Sequence, residues 1–238
     1  MDSAGYTVLT RLSGLKNELQ AIANNVANAS TTGFRKEGLI FSEYISALEP
    51  GEPSLSMANG DVRHTSDAQG PLTPTGGTFD LAIEGDGFFL IETPQGEALT
   101  RAGAFTPNDQ GELTTHDGYR LLDNGGAAIF IPPDAKSVAV AADGTMSADG
   151  LPVAQIGLYL PTDPNSLNRQ DGVRFYTEGG VEPYEGAAIL QGYVENSNVN
   201  PITEITRMIE VQHAYTMGQK FSEQEDERIR GVISTLGR

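Results

Sequence analysis

Residues 8–26 read VLTRLSGLKNELQAIANNV, and the apolar side chains Val8, Leu12, Leu15, Leu19, Ile22 and Val26 fall in alternating steps of four and three. That repeat averages 3.5 residues and keeps one stripe facing a partner helix, which is the pattern of a left-handed coiled-coil seam. The spacing predicts a helix from Ala4 to Ala27. An isolated helix gains little from propensity alone, so this one needs a second helix to bury its stripe. Asn24 to Phe34 follows at once and is dense in Asn, Ser, Thr and Gly. These side chains bond to nearby backbone and favour helix ends and turns.

The other end of the chain offers a partner. Asn200 and Pro201 place a capping side chain before a proline at the first helical position, a favourable helix start on both counts. Ile202, Ile205, Ile209, Gln212, Thr216 and Gln219 then follow three-four spacing, with Met208 and Tyr215 beside them. Ile229, Ile233 and Leu236 resume an apolar stripe after a polar stretch from Gln219 to Arg228. A helix from Pro201 to Leu236 is predicted, weakly held or broken across that polar stretch.

Between the helices the sequence changes character. Most of the 28 glycines and 13 prolines lie between about positions 50 and 190, which signals many turns and therefore many strands. Phe79, Leu81 and Ile83 alternate with polar or small residues as a half-buried strand does, and Gly85-Asp86-Gly87 is expected to be a hairpin turn into Phe88-Phe89-Leu90-Ile91. Asp-Gly recurs at Asp117, Asp143, Asp149 and Asp171, a dipeptide suited to hairpins because glycine accepts positive φ and Asp tolerates it. Gly157–Leu160, Val173–Tyr176 and Ile189–Val194 add short strands. Phe34–Leu48 reads as a short helix or an extended arm. Pro50, Gly51, Pro53 and the run from Ser54 to Gly70 read as a linker or exposed hairpin turning at Asn59-Gly60, between Leu55 and Val62.

The expected fold class is α+β. Residues 1–34 and 197–238 form an α-helical coiled-coil domain, 35–70 a connecting arm, and 71–196 a central antiparallel β domain built as a meander or small barrel.

Composition excludes several functions. A net charge of −17, from 32 acidic and 15 basic residues, argues against nucleic acid or an anionic membrane as partner. With no cysteine there is neither a disulfide framework nor a thiolate metal site. The first residues lack the apolar core of a secretory signal and no stretch approaches 18 apolar residues, so neither a cleaved signal nor membrane insertion is expected. His64, His116 and His213 lie in separate segments without a second ligand at metal-binding spacing. Gly85-Asp86-Gly87 lacks the third glycine and the following helix of a dinucleotide fingerprint. Asn108-Asp109-Gln110-Gly111-Glu112 lacks the ligand spacing of a calcium loop. No catalytic, cofactor-binding or metal-binding residue is expected. Readings from other classes are a secreted β-domain enzyme, or an adhesin, with coiled-coil ends.

Ala23-Asn24-Asn25-Val26-Ala27-Asn28 followed by Thr31-Thr32-Gly33-Phe34 resembles the N-terminal signature of the bacterial flagellar basal-body rod and hook proteins. Glu195-Asn196-Ser197-Asn198-Val199-Asn200, with Met208-Ile209-Glu210 and Gln212-His213-Ala214-Tyr215, is similar to the matching C-terminal signature. Thr75-Gly76, Leu81-Ala82-Ile83-Glu84-Gly85-Asp86-Gly87-Phe88-Phe89 and Thr100-Arg101-Ala102-Gly103-Ala104-Phe105 are similar to the family's central β region. Ser30 stands where the family often has Asn, and His213 where Arg is common. The modest length, and the lack of a glycine-rich insertion after Phe34, fit the proximal rod type better than the distal rod or hook types.

The resemblance implies a structural subunit of the axial flagellar tube, exported unfolded by the flagellar type III apparatus without a cleaved signal and located in the rod within the periplasmic space. Its partners would be copies of itself and other rod proteins. Leu12, Leu15, Leu19, Ile22 and Val26 are expected to bury against Ile202, Ile205, Ile209 and Tyr215 and against neighbouring subunits. Asn24, Asn25, Asn28, Thr32, Gly33, Phe34, Asn196, Ser197, Asn198 and Val199 complete the expected assembly interface. Both terminal helices are expected to order only on assembly, because neighbours supply most of their burial.

Overall fold

The computed structural model describes residues 3–46 and 55–236. The chain divides into two compact units, Met1–Ala27 with Lys36–Ser66 and Val199–Arg238, and Asn28–Arg35 with Asp67–Asn198. Two terminal helices flanking a β-rich middle make the protein α+β.

The first unit contains α1 (Ser3–Ala27), a hairpin of β1 (Glu37–Ser46) and β2 (Leu55–Thr65), and α2 (Pro201–Leu236). The start of α2 is the expected one: the Asn200 carboxamide oxygen accepts from the N–H groups of Ile202 at 3.1 Å and Thr203 at 3.3 Å, satisfying donors that a helix end leaves orphaned. Leu15, Ile22 and Val211 form the buried contact, and Leu19, Val26, Met208, Ala214 and Tyr215 pack around it. Leu12 lies over Gly218, where a Cβ would come within 2.9 Å of its Cδ2.

Within the chain, then, the face of α2 turned to α1 is not the one the apolar spacing selects. Tyr215 joins the seam, but Ile202, Ile205 and Ile209 are 78%, 48% and 49% exposed. Successive residues turn by roughly 100° around a helix, so moving from Ile205 to Glu204 rotates the face by that amount. The inward row runs Glu204, Met208, Val211, Tyr215 and Gly218. A periodicity reading passes over this row because it contains a carboxylate and a glycine.

In the segment after Arg35 the extended and hairpin alternatives hold, but the turn is not where the sequence suggests. Residues Leu55–Thr65 form one strand, antiparallel to β1, in which Asn59 pairs with Ser42. Asn59-Gly60 therefore lies inside β2 and is not a turn. The register slips between Ile40 and Ser42, and the bulge brings Phe41 so close that its Cε1 lies 2.7 Å from where a Cβ would stand on Gly60 and on Gly14. The glycines admit an aromatic ring between hairpin and helix. The expectations for Leu48, Pro50, Gly51, Pro53 and Ser54 lie outside the described residues.

The second unit is antiparallel throughout. Its largest sheet contains β5 (Phe88–Thr93), β6 (Gly96–Thr100), β7 (Phe105–Pro107), β8 (Leu113–Thr115), β9 (Arg120–Leu121), β13 (Leu158–Pro161), β14 (Leu167–Asp171), β15 (Arg174–Thr177) and β16 (Val181–Pro183). The strand order is β14-β15-β6-β5-β9-β8-β7, with β13 joining β5 to β16. This is not the sequential order of a simple meander. β10 (Val138–Val140), β11 (Thr145–Ala148) and β12 (Leu151–Gln155) form a separate three-stranded sheet. The first and last strands close on each other: β3 (Leu72–Pro74) pairs with β18 (Tyr193–Glu195), and β4 (Leu81–Glu84) with β17 (Ala188–Gln191).

Four Asp-Gly dipeptides join paired strands as expected: Asp117-Gly118, Asp143-Gly144, Asp149-Gly150 and Asp171-Gly172. At Asp149-Gly150 both residues have positive φ, 49° and 81°, as a primed hairpin turn requires. Gly85-Asp86-Gly87 differs. It leads from β4 to β5, which lie in different sheets, and is not a hairpin turn. Phe89 and Ile91 enter the main core with Leu81, Ile83, Phe105 and Leu121, while Leu90 enters a second cluster with Leu99, Tyr159 and Phe175. A strand buried on both faces reads as an unbroken apolar run, and β5 takes its neighbours from β6, β9 and β13.

Candidate functional site

The residues around the two signatures are organised by two buried polar centres, one in each unit. In the first unit the centre is Asn25, 1% exposed near the end of α1. Its carboxamide oxygen accepts from the Glu37 N–H at 2.8 Å, and its nitrogen donates to the Glu37 carbonyl at 2.7 Å and to the Glu204 carboxylate at 2.9 Å. Both N–H groups of the amide and its carbonyl oxygen are thus engaged. Asn25 thereby ties α1, β1 and α2 together. Lys36 pairs with Glu204 at 2.5 Å, and Asn24 donates to the Glu37 carboxylate at 3.3 Å. On α2, Arg207 pairs with Glu18 of α1 at 2.7 Å.

The same unit also exposes apolar side chains among its polar ones. Tyr6 and Leu9 on α1, and Ile202, Ile205, Ile209, Met217 and Phe221 on α2, are exposed. A groove of about 360 Å³ between the helices is lined by Val8, Leu12, Leu15, Ala214, Met217 and Phe221, among others.

In the second unit the centre is Glu195, 1% exposed at the end of β18. Its carboxylate pairs with Arg35 at 3.2 Å and Arg101 at 3.1 Å and accepts from the Gly70 N–H at 3.1 Å. Its carbonyl accepts from the Gly33 N–H at 2.7 Å. Gly33 has φ of 72°, and a Cβ there would meet the Ala102 nitrogen at 2.3 Å, so only glycine fits. Burial pulls the Arg101 guanidinium down to about 10; Glu195 holds it up and Arg35 presses it lower. Phe34 is fully buried, and the Arg169 guanidinium lies 4.5 Å from its ring centre and 4.6 Å from that of Phe175, within cation–π range of both.

The signature residues thus have occupations inside their own units. Asn28 accepts from Thr31 through its carbonyl at 3.0 Å and its side chain at 3.2 Å. Thr32 is half-buried. Asn196 donates to the Thr73 hydroxyl at 2.7 Å, and Asn198 to the Ala68 carbonyl at 2.7 Å. Ser197 and Val199 are buried. Sequence reasoning quoted Arg101 and Glu195 within motifs without giving them a role, and passed over Arg35, Lys36, Glu37, Arg169 and Glu204. The available signal was scarcity: with 15 basic residues against 32 acidic ones, an arginine adjoining a motif stands out.

The three histidines are exposed, and no group of three His, Cys, Asp or Glu among the described residues is placed to hold a metal. The Asn108 side chain accepts from the N–H groups of Gln110 and Glu112, both at 2.9 Å, which makes that loop an Asx turn between β7 and β8. No helix among the described residues is long and apolar enough to cross a membrane.

Three family descriptions match in chain order: flagella basal body rod protein over residues 6–35, flagellar hook protein FlgE/F/G D1 domain over 82–148, and flagellar basal body rod FlgEFG protein C-terminal over 190–235. The chain is 40% identical to the flagellar basal-body rod protein FlgF of Caulobacter vibrioides, the alignment covering all of this chain and 99% of that protein. It is 38% identical to FlgF of Mesorhizobium japonicum over the same shares. With the flagellar basal-body rod protein FlgG of Bacillus subtilis it shares 33% identity over 94% of this chain and 96% of that one. The polar centres that fix Asn25, Phe34 and Glu195 lie in or beside the two terminal matches, and the chain belongs to the flagellar basal-body rod protein family, most like FlgF.

Proposed function

We propose that the chain is a structural subunit of the flagellar basal-body rod, of the proximal type, and acts by polymerising rather than by catalysis. The observation that carries this reading is the pair of terminal helices with apolar surface to spare. Their mutual seam consumes Leu15, Ile22 and Val211, and leaves Ile202, Ile205 and Ile209 exposed on one stripe of α2. Single exposed apolar residues are ordinary, but an aligned row on a long helix is an interaction surface. Its occupant is a neighbouring axial subunit, the same chain or another rod protein. A head-to-tail contact that does not close builds a helical filament.

In the first unit the helices and the β1–β2 hairpin form the polymerising part, with coiled-coil pairing of α1 and α2. Asn24, Asn25, Asn28, Thr32, Gly33, Phe34, Asn196, Ser197, Asn198 and Val199 shape each subunit so that Leu12, Leu19, Val26 and the isoleucine stripe meet neighbours correctly. The rod lies in the periplasmic space, and the subunit reaches it through the flagellar type III export apparatus.

The test is the double substitution Ile205→Asp and Ile209→Asp. Both side chains are exposed, so the monomer should melt as the parent does while rod assembly and motility are lost. Normal motility with the double variant would overturn the reading.

A further inference from the structure

Two faces of α2 carry comparable apolar content, and one of them packs on α1. The inward row is Glu204, Met208, Val211, Tyr215 and Gly218; roughly 100° away lies the row Ile202, Ile205, Ile209, Gln212 and Thr216, which begins with three β-branched aliphatic residues. Each row carries three large apolar residues, so burial of apolar area alone does not choose between them. The observed arrangement buries the Glu204 carboxylate, 3% exposed, against the Asn25 carboxamide at 2.9 Å and the Lys36 ammonium at 2.5 Å. A buried carboxylate is tolerated where its partners stand, and a rotated helix would take it away from both. Asn25 is itself held by the backbone of Glu37, so the receptor for Glu204 is rigid and admits one orientation.

We infer that Glu204, received by Asn25 and Lys36, is a positioning residue that selects which face of α2 packs inside the subunit and so reserves Ile202, Ile205 and Ile209 for the next subunit. The device is analogous to a single buried polar residue that fixes register and partner choice in a coiled coil at some expense in stability. Without it the isoleucine stripe competes for α1, and the polymerising surface is spent within one chain. The inference rests on the assembly role of that stripe and on α1 and α2 pairing in the free chain, in place of the ordering on assembly expected from sequence; its test is read in the unassembled chain so that the two can fail separately.

The chain contains no cysteine, so engineered pairs report cleanly by disulfide formation under mild oxidation in dilute protein. Leu12→Cys with Gly218→Cys reports the observed face, where the two positions nearly touch. Leu12→Cys with Thr216→Cys reports the isoleucine face. In the otherwise unchanged chain the first pair should cross-link and the second should not. Adding Glu204→Ala should raise the share of the second product at least tenfold at the expense of the first. Lys36→Ala should move the balance in the same direction by less, because Asn25 still receives the carboxylate. An unchanged pattern with Glu204→Ala overturns the inference. So does the loss of both products, since Glu204 would then be holding the helices together without choosing between faces. Absence of the first product in the unsubstituted background overturns it as well. The Ile205→Asp, Ile209→Asp assembly test bears on the role of the stripe and leaves the cross-link result untouched.

Discussion

Asn25 pairs with Glu37 as a neighbouring strand would, accepting from its N–H at 2.8 Å and donating to its carbonyl at 2.7 Å. A side chain on a helix thereby satisfies the backbone of the first residue of a strand, with one donor left over for Glu204. Three elements, one of them 179 positions away, meet at one carboxamide.

Asn25→Asp is therefore expected to be worse than Asn25→Ala. The carboxylate has no donor for the Glu37 carbonyl and sets a like charge against Glu204, whereas alanine only leaves partners unsatisfied. Losses of about 1–3 kcal/mol for Asn25→Ala, and more for Asn25→Asp, should appear in thermal melts followed by helical circular dichroism. Equal stability of the two variants would contradict the pairing.

Glu195 lies between two guanidinium groups, so its removal and that of one arginine are not equivalent. Glu195→Gln leaves Arg35 and Arg101 facing each other without an anion and should cost about 3–5 kcal/mol, the range for breaking a buried pair. Arg101→Met leaves Arg35 paired with Glu195 and should cost clearly less. Denaturant midpoints of the two variants check the order.

Phe34→Ala removes a fully buried ring from beneath Arg169 and should destabilise the β-rich unit by about 3–5 kcal/mol. Phe34→Leu, which keeps apolar volume but loses the ring face, should recover more than half of that. Chemical denaturation followed by tyrosine fluorescence suits this measurement, because the chain has eight tyrosines and no tryptophan.

The two units should melt separately. The helical unit has three fully packed apolar residues in its seam, Leu15, Ile22 and Val211, whereas the β-rich unit has a main core of fourteen. Since hydrophobic burial dominates stability, calorimetry of dilute protein should show the helical signal lost first and the β transition at higher temperature. A single transition coincident by both probes would contradict this.

How much could be read beforehand follows from how far each signal reaches along the chain. The Asn200 cap, the extents of α1 and α2, and the four Asp-Gly hairpin turns depend on residues within a few positions of one another, and each stands where the local chemistry puts it. Asn59-Gly60 misleads because the same two residue types serve a turn or a bulge, and the choice was made by Phe41, a ring some twenty positions away in sequence. Gly85-Asp86-Gly87 misleads because adjacent strands in the chain took partners in different sheets.

By itself the sequence determined two terminal helices, a turn-rich β middle and membership of the rod family, since periodicity, capping and motif order are properties of the chain alone. Tertiary structure decided which face of α2 turns inward, where β2 begins and ends, and what Asn25, Phe34 and Glu195 do. Those outcomes rest on buried charges and amides finding partners up to 179 positions away, as Asn25 finds Glu204. A buried polar group is stable only beside its partner, and no spacing along the chain records that partner.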